Sequence, residues 1–237
     1  MIKKIVVVSK EKTNKDLIKS IRKFSFEYTD SSPDIVFSLG GDGTYLYSER
    51  KFPGIPKILI RDSMICEKCD IESFEENILN KLGKGEYRIK ENLKLEAIVR
   101  KLGKKSKKFI CVNDFVIRNK KQTRALRFQV EINQKNVNGT LIGDGIVVST
   151  PFGSTGYFHS ITGGSFKKGI GVAFNNLTKI IRNTLVNEES KIIVKIVRDD
   201  AVFSSDNDPS TIVLTENDTV EIRKSKEVAR IVRLTYK

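Results

Sequence analysis

The chain has 237 residues, enough to bury a sizeable core in one large domain or two smaller ones, and its hydrophobic and charged fractions of 39% and 30% are typical of a soluble globular protein. No apolar run approaches the roughly 20 residues of a membrane-spanning helix, so we expect no membrane partner. The net charge is +14, but the basic residues are dispersed and the densest run, from Arg100 to Lys108, contains no aromatic residue, which argues against nucleic-acid binding.

The first ninety residues alternate between strand-like and helical patterns. The segment KIVVVS, from Lys4, predicts a buried strand, and the residues from Lys12 to Phe26 predict an amphipathic helix. DIVFSL and IPKILI predict two further strands, each followed by a helical pattern, and the last of these, IESFEENILNKLGKG, ends on glycine. We therefore expect a Rossmann-like α/β domain with a parallel sheet over residues 1–90.

From about Tyr87 the pattern changes to β-rich runs with period-two alternation. Segments such as ALRFQVEINQKNVNGTLIGDGIVVST and SKIIVKIVRDD are separated by Gly, Asn and Lys turns, and RKLGKKSKK, from Arg100, predicts a hairpin loop. This pattern is typical of an antiparallel sandwich. We predict a mostly antiparallel β-sandwich domain over residues 91–237, whose last residues could return to the first domain.

The segment VFSLGGDGTYLYSER, from Val36, leaves a predicted strand through three glycines and an aspartate and enters a helical pattern at once. Glycines let backbone N–H groups approach a phosphate, and open α/β sheets bind ligands at the carboxyl ends of their strands. Asp42 in this setting fits a general base for a hydroxyl, or a ligand of the Mg²⁺ that nucleotide phosphates carry. The alternative is a tight turn in which Asp42 caps the helix.

Two further segments combine polar residues with apolar strands. GDGIVVSTPFGSTGY, from Gly143, ends a β-rich run in a cluster of Ser, Thr, Gly and Pro that is too dense for an ordinary hairpin and that could bind a polar ligand. In CVNDFVIRN, Asn113 and Asp114 interrupt an apolar strand, where polar residues are unfavourable unless they are paired. These two residues therefore either bind a ligand or face solvent.

In this order and spacing, GGDGT, VNDFVIRN and DGIVVSTPFGSTGY resemble the NAD kinase family. GGDGT is also similar to motifs of diacylglycerol kinases, sphingosine kinases and 6-phosphofructokinases. DGIVVSTPFGSTGY, in contrast, is nearly the NAD kinase signature. VNDFVIRN has aspartate where the family has glutamate. The resemblance implies an α/β domain followed by a β-rich domain. It also implies phosphorylation of the adenosine-ribose 2′-hydroxyl of NAD by ATP, with Mg²⁺ entering with ATP, to give NADP.

The resemblance also implies roles for individual residues. Asp42 matches the aspartate that is taken to deprotonate the hydroxyl, and Asn113 and Asp114 match the pair that holds the adenosine end of NAD. The remaining implied contacts with the dinucleotide are Gly41, Gly43, Asp144, Thr155, Gly156, Tyr157 and Ser160. Members of the family are usually dimers or tetramers, so we expect a homo-oligomer.

Two departures from the family pattern leave alternatives open. The segment IRDSMICEKCDIESF stands where the family has an Asn-x-Gly stretch leading to Leu-Gly-Phe-Leu, and TGGSFKKGIGVAFNNLTK lacks the family's Pro and His-Pro elements. One alternative is a catalytically silent protein that senses NAD(H) or NADP. The other is a lipid kinase of the diacylglycerol type, which would carry a second motif of the Gly-Thr-Gly-Asn-Asp kind that we do not find.

The cysteines and the single histidine receive simpler interpretations. Three cysteines in a chain of this length do not make a disulfide framework, which favours a reducing cytoplasm. Cys66 and Cys69 form an isolated Cys-x-x-Cys pair, whereas a zinc site needs about four ligands. We therefore expect two reduced cysteines in a loop and no protein-bound metal. His159 either lines the pocket or makes local hydrogen bonds.

Overall fold

Residues 2–10, 15–64 and 66–235 are described by the structure, a computed structural model, and their contacts divide the chain into two units. The first unit contains the described residues up to Asn92 and those from Val228 onward, and the second contains Leu93–Glu227. Within the described part of the chain, no helix is long and apolar enough to cross a membrane.

The first unit contains a parallel sheet flanked by helices. Its elements, in chain order, are β1 (Lys4–Ser9), α1 (Lys15–Lys23), β2 (Glu27–Tyr28), β3 (Ile35–Gly40), α2 (Asp42–Lys51), β4 (Lys57–Arg61) and α3 (Glu76–Lys84). The strand order is β2-β1-β3-β4, and every one of these pairings is parallel. The predicted Rossmann-like arrangement is therefore confirmed.

Burial on both faces explains why these strands are nearly continuous apolar runs. On one face of the sheet, Ile5 of β1 and Phe37 of β3 pack against the apolar sides of α1 and α3. On the other face, Val6 and Val36 pack against Phe52, at the end of α2. The predicted helix between β1 and β2 is observed as α1, and its residues before Lys15 lie outside the described part of the chain.

The strand β5 (Tyr87–Arg100) continues from the first unit into the second, where an antiparallel sandwich follows. The later elements are β6 (Lys107–Cys111), β7 (Asp114–Asn119), β8 (Leu126–Ile132), β9 (Lys135–Gly143), β10 (Gly145–Ser149), α4 (Tyr157–Thr162), β11 (Ile170–Asn175), β12 (Thr184–Val186), β13 (Ile192–Arg198), β14 (Ala201–Ser205), β15 (Ile212–Leu214) and β16 (Thr219–Leu234). The end of β16 belongs to the first unit, where Ile231 pairs with Lys57 of β4.

Two sheets form the sandwich of the second unit. One has the order β16-β13-β8-β9, and the other has the order β12-β11-β10-β7-β14-β15. Alternate residues of both sheets point into a shared core, for example Phe128 of β8 and Phe115 of β7. The predicted β-sandwich is confirmed, and so is the hairpin loop between β5 and β6.

A buried ion pair ties α2 to β4 in the first unit. Lys57 is 0% exposed and Glu49 is 3% exposed, and the Lys57 ammonium contacts both the Glu49 carboxylate and the backbone carbonyl of Phe52. The Glu49 carboxylate also accepts the Gly54 N–H at 2.8 Å. These contacts compensate two charges inside an apolar core, where an unpaired charge is strongly unfavourable.

We predict that Lys57→Met lowers the free energy of unfolding by about 3–5 kcal/mol, because Glu49 is then buried without its cation. Lys57→Met combined with Glu49→Leu recovers most of this loss, since no charge remains to be compensated. Urea unfolding provides the measurement, with Lys19→Met in the exposed Lys19–Asp16 pair as the control. A loss for Lys57→Met no larger than that of the control contradicts the prediction.

Candidate active site

The turn between β3 and α2 places Asp42 at the carboxyl end of a parallel strand. Asp42 is the first residue of α2, and the N-cap is Gly41, which makes no side-chain capping bond. The alternative in which Asp42 caps the helix is therefore wrong. Gly40 has φ = +152°, and a Cβ there would lie 2.3 Å from Oγ1 of Thr44, so the turn itself requires this glycine.

A cavity of about 440 Å³ opens at this turn. It is lined by Ser9, Lys10, residues 39–44, Asp62 and Ser63. The lining combines one cation, Lys10, with the carboxylates of Asp42 and Asp62 and with the N-terminus of α2, which favours negative charge. Oγ1 of Thr44 is buried, and among the described residues it has no hydrogen-bond partner. A buried hydroxyl without a partner is unusual in a folded protein.

The Asp42 carboxylate is held by backbone amides of the segment after β4. The Glu67 N–H donates to Oδ2 at 3.3 Å, and the Lys68 N–H donates to Oδ1 at 3.1 Å. Burial lowers the pKa of the Lys68 ammonium, and the negative charge of Asp42 opposes that lowering. Lys68 therefore brings a cation near the Asp42 carboxylate.

The cysteines of this segment differ from the expectation. Cys66 and Cys69 are joined by a disulfide, with their Cα atoms 5.5 Å apart, so the prediction of two reduced loop cysteines is wrong. The physical reason is the tight loop, which brings the two Cα atoms within the usual disulfide range. Cys111 is a free, buried cysteine. Within the described residues, no cluster of three or more His, Cys, Asp or Glu could hold a metal ion.

Asn113 and Asp114 lie where the chain crosses between the two sheets of the sandwich. Because β6 ends at Cys111 and β7 begins at Asp114, the prediction of one continuous strand here is wrong. The Asp206 carboxylate fixes the crossing by accepting three successive backbone N–H groups, those of Val112 at 2.9 Å, Asn113 at 2.7 Å and Asp114 at 3.2 Å.

The turn after β10 packs directly against this crossing. The Thr150 N–H donates to the Asn113 carbonyl at 2.8 Å, and a Cβ on Gly153 would lie 2.3 Å from the same carbonyl oxygen. Gly153 is therefore required by this close approach. The side-chain oxygen Oδ1 of Asn113 is buried, and no donor in the described part of the chain reaches it. The structure thus brings two predicted segments together around a buried amide oxygen that has no donor in the described part of the chain.

Two carboxyl groups meet at the crossing. Burial, reinforced by the charge of Asp206, raises the pKa of Asp114 to about 7. Burial raises the pKa of Asp206 to about 6, and the three backbone N–H donors and Lys94 oppose this rise. Burial also raises the pKa of the Cys111 thiol well above its usual range.

Asp144 is not close to Asn113 and Asp114 along the strand pair. In the ladder of β7 and β10, Ser149 pairs with Asp114 and Gly145 pairs with Arg118, so Asp144 lies at the opposite end of β10. Its carboxylate accepts the side-chain amides of Asn119 at 3.3 Å and Asn176 at 3.0 Å.

The remaining predicted residues lie at the start of α4. Thr155, Gly156 and Ser160 are exposed, as is His159, and Phe158 anchors the helix by packing against Phe166. The Tyr157 hydroxyl accepts the Asn175 side-chain amide at 3.2 Å, and the Ser160 hydroxyl donates to the Tyr157 carbonyl at 2.8 Å. This helix therefore presents hydroxyl and backbone groups to solvent.

Sequence reasoning missed Asp206 and the role of the segment from Cys66 to Cys69. Asp206 lies more than 90 residues from the amides that it holds, in a hairpin whose letters SSDNDPS indicate only a turn. The Cys-x-x-Cys spacing was the one available signal for the second feature, since cysteines at this spacing can form a disulfide when a loop closes tightly.

We predict that Asp114→Asn stabilises the protein above pH 7 and has little effect below pH 4. The folded pKa of about 7 exceeds the ordinary value of 3.8, so the native state binds the extra proton between these limits and loses stability as the pH rises through them. The stabilisation at pH 8 should be roughly 1–3 kcal/mol, measured by urea unfolding at both pH values. The prediction is contradicted if the free energies of unfolding of the variant and the wild type differ by the same amount at pH 4 and at pH 8.

Comparison with known proteins identifies the family. Residues 112–234 match the family described as the ATP-NAD kinase C-terminal domain. An NAD kinase of Clostridium perfringens (strain 13 / Type A) is 28% identical over 98% of this chain and 87% of that protein. An NAD kinase of Picrophilus torridus is 29% identical over 93% of this chain and 81% of that protein.

Solved structures show the same fold. The yeast NADH kinase complexed with NADH has a TM-score of 0.83 at 16% identity, over 99% of this chain and 84% of that one. An NAD kinase from Archaeoglobus fulgidus in complex with ATP has a TM-score of 0.78 at 19% identity, over 98% of this chain and 93% of that one. Because the matched family segment spans more than half of the sequence, the chain belongs to the NAD kinase family.

Proposed function

We propose that this protein transfers the γ-phosphoryl group of ATP to the adenosine-ribose 2′-hydroxyl of NAD, giving NADP and ADP. The observation that carries the proposal is the Asp42 carboxylate at the carboxyl end of β3, on a cavity that also exposes Lys10 and the N-terminus of α2. The relatives named NAD kinase, and the similar structures that contain NADH or ATP, support this choice of substrates.

In the proposed reaction, Asp42 accepts the proton of the 2′-hydroxyl while the hydroxyl oxygen forms a bond to the γ-phosphorus. The bond from that phosphorus to the leaving oxygen of ADP breaks. Such transfer depends on positioning and charge stabilisation more than on covalent catalysis. Gly41 and Gly43 leave room at the N-terminus of α2, where the helix dipole favours phosphate oxygens, and Lys10 adds a positive charge.

We assign Mg²⁺ to the bound ATP. In proteins this ion usually keeps several waters and is held by one or two carboxylates together with substrate phosphates. Asp42 and Asp62 both line the cavity, so the carboxylates present there suit an ion of this kind. When bound, the ion neutralises charge on the phosphates, and Asp62 is the residue that we expect to help to hold it.

We assign the adenosine end of NAD to Asn113 and Asp114. Oδ1 of Asn113 is buried and can accept a hydrogen bond from the ligand. The Asp114 carboxyl, with its raised pKa, is partly protonated near neutral pH and can then donate a hydrogen bond as well as accept one. The exposed residues Thr155, Gly156 and Ser160, together with the half-buried Tyr157 and with Asp144, are the further dinucleotide contacts in this proposal.

Formation of NADP tests the proposal. The protein is incubated with NAD, ATP and Mg²⁺, and NADP is measured with an NADP-specific dehydrogenase. We expect turnover that requires all three components. Binding of NAD without turnover favours a silent NAD(H)- or NADP-sensing protein instead, and phosphorylation of diacylglycerol favours a lipid kinase.

We predict that Asp42→Asn lowers kcat by about 10²-fold or more, since the general base is lost while the side chain keeps its size. NAD binding, measured by calorimetry, should be largely retained. Asp16→Asn, which makes the same change on the exposed helix α1, is the control and should leave kcat unchanged. Near-normal turnover in Asp42→Asn contradicts the assigned role.

We predict that Asn113→Ala weakens NAD binding by about 1–3 kcal/mol and changes ATP binding little. The described contacts that fix the crossing at residue 113 use its backbone N–H and carbonyl, which alanine retains. The thermal stability of the variant should therefore be unchanged or raised, because a buried amide oxygen without a donor is removed. Equal losses of NAD and ATP affinity would show that Asn113 is structural.

We also propose a cytoplasmic homo-oligomer, a dimer or a tetramer. The cytoplasm supplies both NAD and ATP. The short strand β12 lies at the edge of its sheet, and its Leu185 is 55% exposed. Another copy of the chain can cover this edge. Light scattering should give two or four times the chain mass at every salt concentration.

The KM for NAD should rise with salt, because screening weakens attraction between phosphates and a chain of charge +14. A mass equal to that of one chain in the light-scattering measurement contradicts the proposed oligomer, and a KM that does not change with salt contradicts the role of the positive charge.

A further inference from the structure

The segment from Cys66 to Cys69, called here the disulfide loop, lies against the end of β3 that carries Asp42. The Arg61 guanidinium donates to the Cys66 carbonyl at 2.9 Å, and Sγ of Cys69 lies 3.6 Å from the Gly40 carbonyl oxygen. The loop is therefore connected to both β4 and the β3–α2 turn. Its disulfide closes four residues into a small ring, which limits the positions that the intervening amides can adopt.

The intervening amides orient the Asp42 carboxylate but do not occupy all the hydrogen-bond acceptor sites on its oxygens. The Glu67 and Lys68 N–H groups contact different carboxylate oxygens, so together they restrict rotation of the carboxylate plane. A carboxylate has about four acceptor sites on its two oxygens. Two donors therefore leave sites on Asp42 for a substrate hydroxyl.

The chemical state of the Cys66 sulfur adds a second effect. Sγ of Cys66 lies 3.2 Å from Oδ1 of Asp42. The Cys66 residue is buried, with 4% of its surface exposed. A disulfide sulfur has no hydrogen, so in the oxidised protein this contact takes no acceptor site of the carboxylate. A thiol at the same place carries a hydrogen that it can donate to Oδ1, and the nearby negative charge disfavours loss of that hydrogen.

We propose that the Cys66–Cys69 disulfide positions Asp42 for proton transfer, so that turnover is high when the pair is oxidised and falls when it is reduced. This inference rests on the proposed function, in which Asp42 is the base. Both effects act in the same direction, because reduction releases the loop amides from a fixed geometry and also supplies a competing donor at Oδ1.

Reduction requires an external dithiol, and the exposure of the loop allows it. Cys69 is half-buried whereas Cys66 is buried, so a thiolate of the reductant attacks Sγ of Cys69. The protein disulfide bond breaks, and the Cys66 sulfur leaves as a thiolate and takes up a proton. The second thiol of the reductant then closes the reductant's own disulfide and releases Cys69 as a thiol, so two electrons pass to the protein. Cytosolic disulfides, where they occur, are usually transient, catalytic or redox-sensing.

The test compares kcat for NADP formation before and after treatment with a cyclic-disulfide-forming dithiol, with thiol labelling and mass spectrometry to count the thiols. We expect reduction to lower kcat by about tenfold or more, since a misplacement of about 1 Å can lower a rate by about 10²-fold. The KM for NAD should change by less than about twofold, because the expected effect is on the orientation of the base. Re-oxidation should restore kcat.

Cys66→Ala combined with Cys69→Ala is the matched variant, because it retains the free Cys111. Its kcat should be low and insensitive to the dithiol, and its Glu67 and Lys68 amides should exchange hydrogen faster than in the oxidised wild type. The inference is overturned if kcat is equal in the verified oxidised and reduced states, if reduction raises kcat, or if the variant remains sensitive to the dithiol. Absence of NADP formation in both states rejects the proposed function itself, and with it this inference.

Discussion

The proposed chemistry depends on one interaction, the hold of two backbone amides on the Asp42 carboxylate. The turn after β3 brings Asp42 to the carboxyl end of a parallel strand, and only glycine fits at position 40, where a side chain would collide with Thr44. The Glu67 and Lys68 amides then fix the carboxylate. A base must be oriented before its proton affinity matters, so these two hydrogen bonds are as important for proton transfer as the identity of the aspartate.

Hydrogen bonds between a carboxylate and backbone amides also organise the second unit. There the carboxylate fixes the backbone, whereas in the first unit the backbone fixes the carboxylate. At the crossing from β6 to β7, the Asp206 carboxylate gathers three backbone N–H groups, and the Asn113 carbonyl accepts the Thr150 N–H. The backbone groups are thereby hydrogen-bonded, whereas the Asn113 side-chain oxygen has no donor among the described residues. In the first unit the hydrogen bonds fix the Asp42 carboxylate itself, whereas in the second unit they fix the backbone from which the Asn113 side chain extends.

Local patterns predicted most of the fold, and long-range contacts account for what they missed. The parallel strands, the helix that begins within GGDGT and the hairpin after Arg100 follow from the hydrophobic period and from turn residues within about twenty positions. Asp206 could not be found this way, because its partners lie more than 90 residues away. The sequence around Asn113 predicts one strand because its flanks are apolar, although in the structure these flanks belong to two different sheets. The Cys66–Cys69 spacing is compatible with either redox state, and only the closed loop decides between them.

In the proposed reaction the protein phosphorylates the adenosine-ribose 2′-hydroxyl of NAD, and Asp42 accepts the proton of that hydroxyl. The most direct measurement compares NAD with its analogue that lacks this hydroxyl, using phosphorus NMR to locate the transferred phosphate and calorimetry to confirm that both dinucleotides bind. We expect NAD to give a product phosphorylated at the 2′ position and the bound analogue to give none. Phosphorylation of the analogue, or a product phosphorylated at any other position, would rule out the proposed reaction at the 2′-hydroxyl.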